Sequence, residues 1–211
     1  MRKGKFMHYE YLIAILIGYL LGCLNPAWLF AKLHNKDIQK LGNGNPGASN
    51  ITLNFGLWAG VFVAVFDIVK AIAAFFISTV LFSGITDIGI MAACAAVIGH
   101  MFPFCFKFRG GKGFASFIGL TFCLDLKVAI IILLIAAALA FLTNYIIAAT
   151  FTFIISVPCY AAFGIGNFVV ALGITAVSVT IFSKHLKNLS KIRAGTEPRL
   201  RTALAPKSKH D

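Results

Sequence analysis

Long apolar runs dominate this chain and restrict its fold more than any other feature. Most of them approach the roughly 20 residues that an α-helix needs to cross the hydrocarbon core of a bilayer. Of the 211 residues, 59% are hydrophobic and only 12% are charged, so the composition does not fit the soluble domains that this length would suit. The sequence therefore predicts an all-α integral membrane protein built as a bundle of transmembrane helices.

The apolar runs divide the chain into seven predicted spans within a single membrane domain, 1–211. The fourth and fifth spans are separate helices only if the polar tripeptide DLK at Asp125–Lys127 breaks the run. The start, MRKGKF, resembles a signal peptide, but no small-residue cleavage site follows it, so a retained first span is expected. The spans cover about 8–30, 57–83, 87–106, 114–124, 128–142, 146–163 and 168–183, and a basic cytoplasmic tail occupies 184–211.

The positions of the basic residues predict the orientation of the bundle. Three lie in the 31–56 loop, three in 107–113 and eight in the tail, and the positive-inside rule places all three segments in the cytoplasm. An even number of spans must then lie between 113 and 184, so three are excluded, and four need the break at Asp125. The prediction is an N-out, C-in bundle, with Arg2, Lys3 and Lys5 as the discordant residues.

Two glycine-rich stretches fall on the predicted cytoplasmic face. GNGNPGASN, 42–50, holds no charge and no large side chain, so its exposed N–H groups predict an anion cradle, with a simple turn as the alternative. KFRGGKGFAS, 107–116, opens the next span, which puts free N–H groups and the helix dipole beside Arg109 and Lys112. Its alternative is a basic juxtamembrane turn. Its spacing fits neither a Walker A motif nor a dinucleotide fingerprint.

A third polar stretch on the same face contains two residues that share one side of a helix. His185 and Asn188 are three positions apart, and His100 is a second histidine, at the end of a predicted span. A histidine at a membrane interface serves either as a catalyst or as a structural hydrogen bonder. Glu197, the only acidic residue of the tail before Asp211, is expected to be a salt-bridge partner.

Small and charged residues inside the predicted spans also need a physical reason. Gly18 and Gly22 have the spacing of close helix packing, either within one chain or at a dimer seam. Asp67 and Lys70 are expected to pair, because a lone charge in lipid is costly, and the pair is either structural or site-supporting. No metal-ligand spacing or catalytic triad occurs. The odd, scattered cysteines predict reduced packing residues: Cys23, Cys94, Cys105, Cys123 and Cys159.

Taken in order, five segments of the chain resemble the bacterial, membrane-integral acyl-phosphate:glycerol-3-phosphate acyltransferase family. The likeness covers about residues 10–200 and includes GYLLGCLNPAWLFAKL, DIQKLGNGNPGASN, FDIVK, GHMFPFCFKFRGGKGFAS and HLKNLSKIRAGTE. The resemblance implies a seven-span enzyme of the bacterial plasma membrane with its site at the cytoplasmic face. It would transfer an acyl group from acyl-phosphate to the 1-hydroxyl of glycerol 3-phosphate, without a cofactor, a metal or a covalent intermediate.

The resemblance also implies roles for individual residues and partners. The expected partners are the two substrates and membrane lipids, not nucleic acid, and the protein is expected to be a monomer. The catalytic residues implied are Asn45, Lys112, His185 and Asn188. The substrate-binding residues implied are Asn43, Gly44, Gly47, Asn50, Arg109, Gly110, Gly111, Gly113, Ser116 and Glu197.

Three positions depart from the family pattern and define the alternatives. Asn43 and Ile147 stand where the family has serines, and Leu53 stands where it has an arginine; Ser116 replaces a usual threonine. A divergent paralogue with another acceptor, or without catalysis, is therefore the second hypothesis. A small transporter or lipid-binding protein is the third, although transporters place their polar groups near the midplane, whereas here they gather at one face.

Overall fold

The structure, a computed structural model, describes residues 3–204 of the chain, without the side chains of 3–8 and 203–204. Arg2, Lys207 and Lys209 therefore lie outside the described residues. Within them the chain is helical, and six helical segments are long and apolar enough to cross a membrane, which confirms the all-α membrane fold. The helices are α1 Lys3–Cys23, α2 Pro26–Leu33, α3 Ala48–Phe55, α4 Leu57–Leu81, α5 Ile88–Met101, α6 Phe114–Leu124, α7 Leu126–Thr143, α8 Ile146–Tyr160, α9 Phe168–Arg193 and α10 Leu200–Leu204.

The first predicted span, 8–30, is not one continuous helix. α1 ends at Cys23, and Asn25 caps α2 by accepting a hydrogen bond from the Trp28 N–H at 2.9 Å. Pro26 occupies the first position of α2, where its missing N–H costs nothing. The Asn-Pro pair therefore ends one helix and starts the next within the first predicted span, which the candidate span Tyr9–Leu33 covers.

The predicted break between the fourth and fifth spans is present. α6 ends at Leu124, and the Asp125 carboxylate caps α7 by accepting from the Val128 N–H at 3.0 Å. The 11 residues of α6 extend about 16 Å, roughly half the hydrocarbon thickness. α6 is thus too short to cross the membrane as the six long segments can, although its bounds match the predicted 114–124.

Close packing of α1 on α5 explains the paired glycines of the first helix. A Cβ atom added at Gly18 or Gly22 would overlap the backbone carbonyl of Ala92 or Ala96, respectively. α5 carries buried residues all around its surface and packs against α1, α4, α6 and α9, so it forms the centre of the bundle. The glycine pair therefore serves packing within one chain.

α9 continues well beyond the predicted end of the last span at 183. The helix runs to Arg193, so residues 184–193 of the predicted tail form its last turns. This extension, KHLKNLSKIR, has two polar residues for each apolar one, so hydropathy does not mark it as part of a membrane helix. Its consequence is that His185 and Asn188 project from a rigid helix at the same end of the bundle as the starts of α3 and α6.

Candidate active site

A cavity of about 310 Å³ lies where the starts of α3 and α6 meet the end of α9. All four predicted catalytic residues line it, although they come from three separate parts of the sequence. The predicted site residues in its wall are Asn43, Asn45, Gly47, Lys112, Gly113, His185, Asn188 and Glu197. The fold therefore brings the three polar stretches together around one space.

Lys112 is held in the cavity by a chain of side-chain hydrogen bonds. Its Nζ donates to Oδ1 of Asn188, and Nδ2 of Asn188 donates to Oε1 of Glu197. An ammonium can only donate and a carboxylate can only accept, so the amide orientation is fixed by its neighbours. Glu197 therefore reaches Lys112 through Asn188 and does not form the expected salt bridge directly.

Burial lowers the pKa of Lys112 from its usual value, an effect that the charge of nearby Lys191 reinforces and that of Glu197 opposes. The ammonium form is thus less favourable here than on an open surface. Asn188 takes one of its three N–H donors, which leaves two for a ligand. An anion that enters the cavity would restore the stability of the charged form.

Two helix N-termini open onto this cavity. Ala48 and Ser49 are the first residues of α3, and Phe114 and Ala115 are the first of α6; all four line the wall. The N–H groups of a first helical turn have no acceptor within their own helix. Their partial positive charge, added to that of Lys112, makes this end of the cavity suited to phosphate.

The glycine-rich loop before α6 is fixed to the end of α5. The N–H groups of Gly110 and Gly111 donate to the carbonyls of Met101 and His100, at 3.2 and 3.1 Å. Side chains at these two glycines would overlap His100 and its neighbours, so the close approach needs glycine. Gly113 has φ +86°, a left-handed conformation that glycine adopts at little cost.

The first glycine-rich loop uses four of its backbone N–H groups within itself. The N–H of Asn43 donates to Oδ1 of Asn50, that of Asn45 to Oδ1 of Asn43, and those of Gly44 and Gly47 to carbonyls of the loop. These four donors of the predicted 42–50 cradle are thus used within the loop, and the backbone of this stretch that faces the cavity is the start of α3 at Ala48 and Ser49. The side chains of Asn43 and Asn45 also line the cavity.

Two predicted substrate-binding residues, Asn50 and Ser116, do not line this cavity. Asn50 is buried beneath its loop, where its Nδ2 donates to the Leu41 carbonyl at 2.8 Å and Asn54 bonds to its oxygen atoms. Ser116 is fully buried in α6. The contacts of Asn50 hold the loop, and they explain why an amide is needed there without any contact to a ligand.

His185 presents one ring nitrogen to a fixed backbone acceptor. Its Nδ1 lies 2.9 Å from the Ile181 carbonyl, one turn earlier in α9. A carbonyl oxygen can only accept, so Nδ1 carries the proton and Nε2 carries the lone pair in the neutral ring. His185 thus offers an acceptor nitrogen beside Lys112 and Asn188.

Much of the remaining cavity wall is apolar. Leu53 and Ile147, two of the three departures from the family pattern, both line it. The other apolar side chains of the wall come from α4, α6, α8 and α10: Ala64, Ile68, Phe114, Ile118, Ile146 and Leu200. One space thus combines an anion-binding end with a wall that suits a hydrocarbon chain.

A second, more open cavity of about 420 Å³ adjoins the first. The two share Asn43, Asn45 and Lys112 in their walls. Its remaining polar lining includes four predicted site residues and two further lysines: Gly44, Arg109, Gly110, Gly111, Lys184 and Lys187. Cations therefore line the approach from solvent to Lys112, and the two lysines were not among the predicted site residues.

Asp67 and His100 also line the main cavity, and sequence analysis did not assign either of them to the site. The predicted pairing of Asp67 with Lys70 is confirmed, with Nζ and Oδ1 2.7 Å apart. Nδ1 of His100 lies 2.9 Å from Lys70 Nζ and 3.1 Å from Asp67 Oδ1. His100 is 33 positions from Asp67, so only the fold brings them together.

The fold and the cavity define a class of protein: an integral membrane protein with a cavity that suits a ligand with both a phosphate group and an apolar part. Residues 12–195 match the family described as glycerol-3-phosphate acyltransferase. The chain belongs to the glycerol-3-phosphate acyltransferase family.

Relatives and solved structures agree with this membership. The chain is 32% identical over 207 residues to glycerol-3-phosphate acyltransferase 1 of Oceanobacillus iheyensis, covering 94% of this chain and 99% of the relative. It is 34% identical to the glycerol-3-phosphate acyltransferase of Mesorhizobium japonicum, covering 92% and 98%. A crystal structure of PlsY (YgiH), an integral membrane glycerol 3-phosphate acyltransferase in its glycerol 3-phosphate form, superposes with a TM-score of 0.82 at 28% identity, covering 90% and 94%.

Proposed function

We propose that this protein transfers a fatty acyl group from acyl-phosphate to the 1-hydroxyl of glycerol 3-phosphate, giving lysophosphatidic acid and inorganic phosphate. The observation that carries the proposal is the shared wall of the two cavities at Asn43, Asn45 and Lys112. The cation-lined cavity suits water-soluble glycerol 3-phosphate, and the apolar wall suits the acyl chain. The two phosphates then meet beside Lys112.

The reaction needs no nucleophile from the protein. The hydroxyl oxygen attacks the acyl carbonyl carbon, the bond from that carbon to the phosphate oxygen breaks, and phosphate leaves with the hydroxyl proton. Lys112 and the N-termini of α3 and α6 stabilise the negative charge that collects on the leaving phosphate. Asn188 and Glu197 keep the ammonium in place, and Asn45 lies in the wall beside it.

His185 serves in this mechanism as an acceptor that orients the attacking hydroxyl through Nε2. Asparagine at position 185 can still donate to the Ile181 carbonyl but has no group at the position of Nε2, whereas glutamine can place an acceptor there. We expect His185→Asn to lower kcat/KM by about tenfold or more and His185→Gln to retain more activity. Steady-state kinetics with glycerol 3-phosphate varied would measure both.

If His185 has only a structural role, the asparagine variant should be more active than the glutamine variant. If the asparagine variant keeps the parent kinetics while the glutamine variant loses stability, the ring only ties α9 to itself, and the proposed contact with the hydroxyl is wrong. Thermal unfolding in detergent of both variants separates these outcomes.

We also propose that the bundle is N-out and C-in, with the site in the cytoplasm of a bacterial plasma membrane. The contacts support alternating helix directions: Lys112, before α6, meets Asn188 near the end of α9, whereas Asp125, after α6, bonds to Tyr160 at the far end of α8. Counted with α7, α8 and α9, the short α6 makes the number of segments between the basic stretches even, which supports the proposed orientation.

An impermeant thiol reagent applied to intact cells tests this orientation. Single cysteines at Ser83 and Ser190, both exposed, mark the two ends of the bundle in a background where exposed Cys105 and Cys159 are serine. We expect labelling at position 83 and none at 190 until the membrane is permeabilised. The reverse pattern would invert the topology and place the site outside.

The proposed reaction itself is tested with purified protein in detergent. Given a long-chain acyl-phosphate and glycerol 3-phosphate, we expect phosphate and lysophosphatidic acid in equal amounts. We further propose that the monomer is active, because one chain supplies the whole lining, so activity should follow the monomer in size-exclusion chromatography. Hydrolysis of acyl-phosphate without lysophosphatidic acid would contradict the acceptor.

A second candidate function is acyl transfer to a different acceptor. Leu53 and Ile147 favour it, because both place apolar surface in the cavity that would hold the acceptor or the acyl carbonyl. A folded protein that is inactive with glycerol 3-phosphate, but active with other hydroxyl compounds, would support it. Leu53→Arg would then be expected to restore glycerol 3-phosphate as acceptor, since a guanidinium binds phosphate.

A further inference from the structure

Asp67, Lys70 and His100 form a buried cluster of ionisable side chains, which we call the triad. The side chains of Asp67 and Lys70 are 2% exposed and that of His100 is 4% exposed. Burying charged groups in a membrane bundle opposes folding unless their hydrogen bonds are satisfied. Lys70 achieves this fully: its three N–H donors match Asp67 Oδ1, His100 Nδ1 and the Leu24 carbonyl, at 2.7, 2.9 and 2.8 Å.

The Leu24 carbonyl connects the triad to the first glycine-rich loop, 42–50. This carbonyl has no helical partner, because the chain breaks at Asn25 and the Trp28 N–H bonds to the Asn25 side chain. The Lys70 ammonium satisfies it in the interior, where water cannot. The next residue, Asn25, donates through Nδ2 to the Pro46 carbonyl at 3.3 Å, in the loop that carries Asn43 and Asn45.

His100 connects the triad to the second glycine-rich loop, 107–113. Its backbone carbonyl accepts from the Gly111 N–H at 3.1 Å, and its ring packs so closely against Gly111 that a Cβ there would overlap Nε2. The neighbouring Met101 carbonyl accepts from Gly110. The ring orientation, which Lys70 fixes by donating to Nδ1, therefore sets the position of the loop that carries Lys112.

We propose that the triad is a positioning unit that holds the two glycine-rich loops, 42–50 and 107–113, at a fixed separation. One arm runs from Lys70 through Leu24 and Asn25 to Pro46, and the other runs from His100 to Gly111. The expected kinetic effect of the triad depends on the proposed function. Its effect on loop geometry does not require that the acceptor be known.

The test uses a double variant that removes the charges without leaving one unpaired. Lys70→Met alone would strand the Asp67 carboxylate and could prevent folding, whereas Asp67→Asn with Lys70→Met leaves two neutral side chains of similar size. The matched control is Tyr11→Phe, which removes the hydrogen bond from Tyr11 to Asp87 between α1 and the start of α5, away from the cavity. Size-exclusion profiles and thermal unfolding establish that both proteins fold.

Two measurements are made on the full-length protein. Spin labels at exposed Lys40, beside the 42–50 loop, and at exposed Phe108, within the 107–113 loop, report the separation of the two loops. The exposed native cysteines are replaced by serine. We expect a broader distance distribution in the double variant, and a KM for glycerol 3-phosphate about tenfold higher with a smaller change in kcat. The Tyr11→Phe variant should match the parent in both measurements.

The outcomes separate this proposal from the proposed function. An unchanged, narrow distance distribution in the folded double variant would overturn the positioning role and leave the triad as a structural ion cluster. A broadened distribution in the double variant of a protein that shows no acyl transfer would sustain the positioning role while the assigned reaction fails. Unchanged KM with a broadened distribution would refute the link between loop separation and substrate binding.

Discussion

Lys112→Met is expected to lower kcat/KM for acyl transfer by about 10²–10³-fold while the protein remains folded. This is the effect of removing one preorganised donor from a site where negative charge develops. Methionine keeps much of the side-chain volume, so the loss reports the ammonium and not a cavity. The measurement is steady-state phosphate release with both substrates varied, together with thermal unfolding of each protein.

The companion variant, Lys112→Arg, separates charge from shape. Burial lowers the pKa of Lys112, so the parent should lose its cation, and its activity, as pH rises through a value below that of an exposed lysine. An arginine stays protonated throughout this range. We expect the arginine variant to be weaker at neutral pH, because a planar fork does not fit the Asn188 contact, but to keep its activity at higher pH. An identical alkaline limb in both proteins would assign that limb to another group.

The fold was predictable where a local signal marks each boundary. Asp125 was expected to divide two spans, and it does so because its carboxylate caps the following helix. The Asn25–Pro26 pair is an equally strong indication of a helix boundary, but apolar residues on both sides make the stretch look like one continuous span. The end of α9 at Arg193 was not predictable from hydropathy, since the helix leaves the apolar region without ending.

The site was predictable to the extent that its residues lie in polar stretches. Lys112, His185 and Asn188 stand out in an apolar chain, and the fold brings them to one cavity. The direction of individual N–H groups in the 42–50 loop depends on Asn50, seven residues after its partner, and cannot be read from composition. The clustering of His100 with the Asp67–Lys70 pair depends on tertiary packing of α4 on α5 and has no local signal.

Gly110→Ala is also expected to cause a large loss of activity, of about 10²-fold in kcat/KM. The free energy of unfolding, measured without substrate, should change little. A Cβ at this position would overlap the His100 carbonyl and contact Pro103 Cδ, and backbone atoms at the end of α5 cannot move aside cheaply. The loop must shift instead, carrying Lys112 away from its place beside Asn188. A displacement near 1 Å is enough for a loss of this size when catalysis depends on alignment.

Gly173→Ala in α9 is the matched control for the added methyl group. Its nearest neighbours are the flexible end of Met91, at 3.3 Å, so the methyl group is accommodated and kinetics should equal those of the parent. The Lys40–Phe108 spin-label distance should shift in Gly110→Ala and stay unchanged in Gly173→Ala. Full activity in Gly110→Ala would mean that the loop tolerates displacement, and Lys112 would then bind phosphate through its flexible side chain rather than through the fixed position of its backbone.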